Sequence, residues 1–163
     1  MRIIKGRVIV EDSLVHVPDG TDLPAEGDIT VSVDRYRELR GALASRAGRV
    51  GVRLRPDQEA KSIADLVPDL SLIAIEFPGF KDGRGYTTAR LLRERHEFRG
   101  ELRAVGDVLR DQLFFMERCG FTAFELKAGK DIEGALSAFE EFSVTYQGAA
   151  DDPRPMFRRR ARG

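Results

Sequence analysis

Four charged residues stand inside short apolar runs, where charge is least at home: Arg53 in VGVRL, Glu76 in LIAIEF, Arg103 in ELRAV and Glu125 in TAFEL. Alternation along an extended chain puts each of them on the same face as Gly51, Ala74, Val105 or Ala123, while Val52, Leu54, Ile73, Ile75, Phe77, Leu102, Phe124 and Leu126 take the other. Arginines among carboxylates on one small-residue face suit two kinds of chemistry. The guanidinium forks can hold an oxyanion, or a carboxylate, Glu76 or Glu125, can act as general acid or base. The same four residues can also form an internal ladder that merely neutralises itself. Buried ion pairs stabilise little, because desolvation cancels much of their attraction, and a ladder can still orient a site.

Two polar loops follow these runs, PGFKDGRGY after Phe77 and Gly106-Asp107 after Val105. At a strand-to-helix junction the glycines let backbone N–H groups approach a ligand, and the helix N-terminus behind them favours anions. Lys81 and Arg84 add positive charge beside Asp82. A tight turn that needs a positive φ is the plainer reading of two such glycines. Asp107 is first an N-cap for the helix after it. Neither loop matches the GxGxxG or GxxxxGK[ST] patterns, which argues against a nucleotide cofactor of those types. His16 and His96 have no catalytic partner nearby in sequence, and no metal site is expected.

The elements that must position these residues alternate. Between residues 72 and 126, apolar runs at 72–77, 101–105 and 122–126 enclose helical spacing at 87–96 and 108–119, the cadence of parallel βαβ units. Upstream, residues 2–17 read as short strands with turns at Lys5-Gly6 and Glu11-Asp12-Ser13, and 29–33 as another strand. A helix capped by Asp34 and closed by Gly48 follows, then the 50–54 strand, then a helix from Pro56 to Leu66. Residues 131–141 read as helix and Phe142 to Tyr146 as a last strand. One greasy face and one small, charged face suit a partial (βα) barrel with helices on one side and an N-terminal β segment closing it. An open flavodoxin-like parallel sheet, buried on both faces, is the alternative. The chain is well short of the ~250 residues of a full eight-unit barrel. Residues 1–150 are read as one α/β domain, with 1–28 as its N-terminal β segment and loop, and 151–163 as a tail.

The helix at 108–119 sets Val108, Leu109, Leu113, Phe115, Met116 and Cys119 on one apolar arc, with Gln112 in its middle needing a hydrogen bond. Phe114 is expected among Arg110 and Arg118 on the solvent side, where an aromatic flanked by arginines fits a partner interface or a homodimer. Met156 and Phe157, followed by three arginines, could cover the open sheet edge. Basic and acidic residues balance at 27 each in 163 residues, which argues against a general nucleic-acid or membrane-surface binder. With a single cysteine, no signal-like N-terminus and no run near the ~20 apolar residues of a membrane span, a cytoplasmic protein is expected.

The run FPGFKDGRGYTTARLLRER, followed by GELRAVGDVLRDQLFFMERCGF and the closing FRRR, resembles a bacterial domain-of-unknown-function family, number nine hundred and thirty-four. The matching positions are Asp82, Gly83, Arg84, Gly106, Asp107, Arg110, Asp111, Gln112, Arg118, Cys119 and Gly120. The absence of tryptophan from the N-terminal part departs from the family pattern. The family is associated with sulfur-assimilation genes and described as an oxidoreductase or accessory protein of sulfite reduction. The resemblance therefore implies an accessory or small-oxyanion-binding protein working with sulfite reductase or another sulfur-assimilation protein. The chain carries no dinucleotide fingerprint, cluster-binding cysteine set or haem ligand pattern, so a partner is expected to supply any redox cofactor. A stand-alone cofactor-independent enzyme using inner-face carboxylates is one alternative, a structural adaptor another.

Overall fold

The structure, a computed structural model, describes residues 1–79 and 82–140. Its strands are β1 (Arg2–Lys5), β2 (Val8–Glu11), β3 (Val15–His16), β4 (Ile29–Ser32), β5 (Val50–Leu54), β6 (Leu72–Phe77), β7 (Glu101–Gly106) and β8 (Ala123–Phe124). They form one sheet in the order β2-β1-β8-β7-β6-β5-β4-β3. From β8 to β3 every pairing is parallel and the chain order runs backwards without a skip, while β1 lies antiparallel to both β8 and β2. An open doubly wound sheet reverses its strand order part-way across. This one never does, so the flavodoxin-like alternative does not apply.

Successive right-handed crossovers place the connecting elements on one face. The helices are α1 (Val33–Glu38), α2 (Arg40–Ala44), α3 (Arg84–Glu94), α4 (Leu113–Cys119) and α5 (Ile132–Leu136). On that face Val31, Val52, Leu54, Ile73, Ile75, Leu102, Ala104 and Phe124 join Tyr36, Leu92, Leu113 and Met116 in one core. The other face carries Ile3, Leu72, Ala74, Val105 and Ala123, all buried and all outside that core.

The connection between β2 and β3 shows how far the sheet curls. These strands are the two edges of an eight-stranded sheet, yet only residues 12–14 separate them. Laid flat, such edges would stand about 34 Å apart. Four Cα steps reach at most about 15 Å. The sheet must therefore bend until its edges nearly meet, and the fold is a mixed, partial barrel.

Local expectations needed correction where short-range chemistry competes. Ser32, not Asp34, caps α1: its hydroxyl accepts from the Arg35 N–H at 3.1 Å. The first helix breaks at Leu39 and ends at Ala44, four residues before Gly48. In place of the helix expected from Pro56 to Leu66 stands a 3-10 turn, Ala60–Ile63, and another, Val67–Asp69, follows it. Pro68 accounts for the second, since it can donate no helical hydrogen bond and disfavours the α region in the residue before it. The expected strand at 142–146 and the apolar anchor Met156-Phe157 lie outside the described residues.

Candidate functional site

Register settles where the four charged strand residues go. Arg53 pairs with Ala74, Ala74 with Arg103, and Arg103 with Ala123, while Glu76 stands two residues beyond Ala74 on β6 and Glu125 two beyond Ala123, just past the end of β8. All four therefore face the barrel interior, away from the helices. They do not form one array. Arg53 Nε donates to Glu76 Oε2 at 2.9 Å in a pair of its own.

Arg103 is the centre of the other group. It is 0 % exposed, and its guanidinium reaches three carboxylates. Both oxygens of Asp12 accept from it at 2.8 and 3.1 Å, Glu101 Oε2 at 2.8 Å and Glu125 Oε2 at 3.0 Å. Glu101 Oε1 also meets Lys5 Nζ at 2.8 Å and Arg49 Nη1 at 3.3 Å, and Arg49 in turn holds Asp28 at 3.1 Å. Four carboxylates against three cations leave the network nearly neutral. Asp12 sits in the short link between the sheet edges, so the same contact that neutralises Arg103 fastens the curled sheet across its opening.

The ion pairs move the pKa values of these groups. Hydrogen bonding from Arg103 holds Asp12 below the ordinary aspartate value against the cost of its burial. Burial alone would raise Glu101, but the hydrogen bond from Lys5 and the charge of Arg103 outweigh it and lower its pKa. Burial likewise opposes the charge on Arg103, and the carboxylates around it more than restore its preference for the proton. Folded carboxylates with depressed pKa values contribute stability that is present above the unfolded values, ~4, and is lost as pH falls through the lower folded ones. We therefore expect the unfolding free energy to slip a little as pH drops below ~6.5, where the unfolded chain protonates His16 before the folded one does, and to decline further from about pH 4 downward. Urea titrations across that range check this, and a maximum near pH 4 would contradict it.

At the carboxyl ends of the strands the other expected residues are likewise engaged. Asp82 accepts from the Arg84 backbone N–H at 2.9 Å and from its guanidinium at 2.6 and 3.0 Å. The guanidinium and then the backbone N–H depress the Asp82 pKa, so the carboxylate occupies the anion position that the start of α3 offers. Asp107 does not cap the next helical turn. That turn, Arg110–Gln112, begins after Leu109, and Asp107 instead pairs with Lys127 at 2.9 Å. Lys81 lies outside the described residues. Nearby, on the same interior face as Arg53, His16 Nδ1 is 3.1 Å from Thr30 Oγ1, and Ser32 donates to Asp19 at 2.7 Å. Burial, and next the charge of Arg53, lower the His16 pKa. Among the described residues no three His, Cys, Asp or Glu side chains gather as metal ligands, and no helix is long and apolar enough to cross a membrane.

The expected interface residues fall elsewhere. Phe114 is 4 % exposed and Phe115 is 44 % exposed, the reverse of the helical-wheel expectation. The 3-10 turn ahead of α4 advances about 120° per residue instead of 100°, which rotates the phase of everything after it. Arg110 donates to Gly134 O at 3.3 Å, and Arg118 stacks over Phe114 and Phe115 at 5.7 and 5.9 Å from their ring centroids. Gln112 finds its hydrogen bond within its own turn, its Oε1 accepting from the Leu109 N–H at 3.2 Å, and Cys119 is buried.

A family model described as "Bacterial protein of unknown function (DUF934)" matches residues 51–157. The chain belongs to this family. The DUF934 match spans β5 to β8 and supplies Arg53, Glu76, Glu101, Arg103 and Glu125. The carboxylate that completes the Arg103 ring, Asp12, comes from outside the matched segment, as do Lys5, Asp28 and Arg49. A comparison with curated proteins gave no match.

Sequence reasoning missed Asp12, Lys5, Asp28, Arg49 and Glu101. A signal existed for Glu101, which precedes Arg103 by two residues and so shares its face. None existed for Asp12, which is brought to Arg103 only by the curling of the sheet.

Proposed function

We propose that this DUF934 protein is an accessory protein of assimilatory sulfite reduction, acting in the cytoplasm with sulfite reductase or another sulfur-assimilation protein. In this reading the chain binds a small oxyanion and its partner supplies the redox cofactor. The family resemblance of the central block motivates the pathway. One observation favours an accessory over a self-contained acid–base enzyme: both interior carboxylates available for proton transfer are held by guanidinium groups, Glu76 by Arg53 and Glu125 by Arg103. The Arg53 and Arg103 guanidinium groups donate to one oxygen of each carboxylate, at 2.9 and 3.0 Å, so that oxygen is not presented to a substrate.

The test is steady-state sulfite reduction by the reductase with and without the purified chain. The protein alone is expected to consume no sulfite and to raise the reductase's kcat/KM for sulfite when added. Sulfite consumption by the chain alone, or a reductase indifferent to it, would overturn the proposal.

A further inference from the structure

Arg53, Arg84 and Arg103, expected to hold an oxyanion, are occupied by the protein's own carboxylates, yet at the opposite pole of the barrel arginines converge with fewer acids between them. There the segments leading into β7 and β8, the β1–β2 turn and the ends of α3 and α4 enclose a cleft of about 880 Å³. Arg7, Arg93, Arg99 and Arg118 line it against Glu94 and Glu117, an excess of two positive charges in a chain whose net charge is zero.

The arginines are held differently. Arg7 forms a two-pronged pair with Glu117 at 2.6 and 3.0 Å. Arg93 meets no carboxylate in its hydrogen bonds. Its guanidinium donates to the carbonyls of Gly120 at 2.8 and 3.0 Å, Phe98 at 2.9 Å and Gly100 at 2.8 Å. Carbonyls fix the fork in place but leave its full charge uncancelled. Arg99, exposed at the rim, adds a second like charge, and burial together with that repulsion lowers the Arg93 pKa. Arg93 commits four of its five N–H donors to carbonyls and offers its charge and one remaining Nη2–H, while the exposed Arg99 fork can donate directly to a doubly charged tetrahedral or pyramidal oxyanion.

We propose that this cleft is a binding site for a small divalent oxyanion of the sulfate and sulfite class, seated between Arg93 and Arg99. The inference rests on the oxyanion half of the function proposed above and moves the site from the carboxyl-end loops to the amino-terminal pole. Glu94, on the wall of the cleft, opposes the anion and limits affinity.

The experiment is an amide NMR titration of the full chain with sodium sulfate, sulfite or phosphate at constant ionic strength, against chloride. Saturable shifts are expected at Arg99, Gly100, Gly120 and Phe121, with Gly83 and Arg84 unmoved. Arg99→Ala should weaken binding about tenfold, the loss of one charge-assisted hydrogen bond, without lowering Tm. Glu94→Gln should tighten it. Saturable shifts centred on Gly83 and abolished by Arg84→Ala would overturn the cleft while leaving the oxyanion reading intact, as would cleft shifts indifferent to Arg99→Ala. No saturable shift with any of the three anions would overturn both.

Discussion

Arg103→Leu is expected to destabilise the protein by about 3–5 kcal/mol, the range for removing one partner from a buried ionic network. The arginine is fully buried and its fork serves Asp12, Glu101 and Glu125 together. Leucine fills similar space but leaves those carboxylates without their shared counter-ion in a low-dielectric interior. Glu101 keeps Lys5 and Arg49, so the burden falls on Asp12 and Glu125. The link between the sheet edges then loses its fastening. Arg103→Lys should recover only part of the loss, because an ammonium cannot reproduce the bidentate grip on Asp12. The deficit should also shrink as pH falls. In the wild type acid removes stability through the depressed carboxylates, whereas orphaned carboxylates gain by taking a proton. Urea denaturation of the three proteins at pH 7 and pH 4.5 measures this. A deficit under 1 kcal/mol at pH 7 would show that the ring contributes nothing to the fold.

Gly106→Ala is expected to cost about 2–4 kcal/mol, combining an unfavourable backbone conformation with overpacking. Gly106 ends β7 with φ +91°, a value L side chains rarely adopt. A Cβ there would stand 2.5 Å from the carbonyl oxygen of Phe77, its register partner on β6. That oxygen is fixed by the Asp107 N–H at 2.9 Å, so neither side can yield cheaply. Strain would open the β6–β7 pairing at its carboxyl end, beside the Arg53–Glu76 pair. Chemical denaturation of the variant checks the magnitude, and faster amide exchange at Phe77 and Asp107 would locate the damage. A variant as stable as wild type would mean that the turn relaxes freely.

How much of this was legible beforehand depended on distance along the chain. Period-two alternation separated Arg53, Glu76, Arg103 and Glu125 from the greasy face, and that separation led to a partial barrel. Alternation is local and needs no knowledge of the rest of the fold. Phe114 and Phe115 exchanged places because a single 3-10 turn shifted the helical phase, and nothing in Leu109 to Gln112 announces that turn except the side chain of Gln112 itself. Asp12 could not be read at all. It meets Arg103 across 91 positions, through the curling of eight strands. The arginine cleft was hidden for the same reason, since Arg7, Arg93, Arg99 and Arg118 come from separate segments with no common period. The carboxyl-end loops attracted attention because parallel folds usually place function there. The Asp82–Arg84 pair fills that position with the protein's own charges.

The proposed accessory role in sulfite reduction is tested most directly by deleting the gene in a bacterium that carries this DUF934 protein and measuring growth and extracellular sulfite on sulfate as sole sulfur source. The account predicts poor growth with accumulated sulfite, rescued by sulfide, cysteine or the wild-type gene. Growth at the wild-type rate without sulfite accumulation would contradict it.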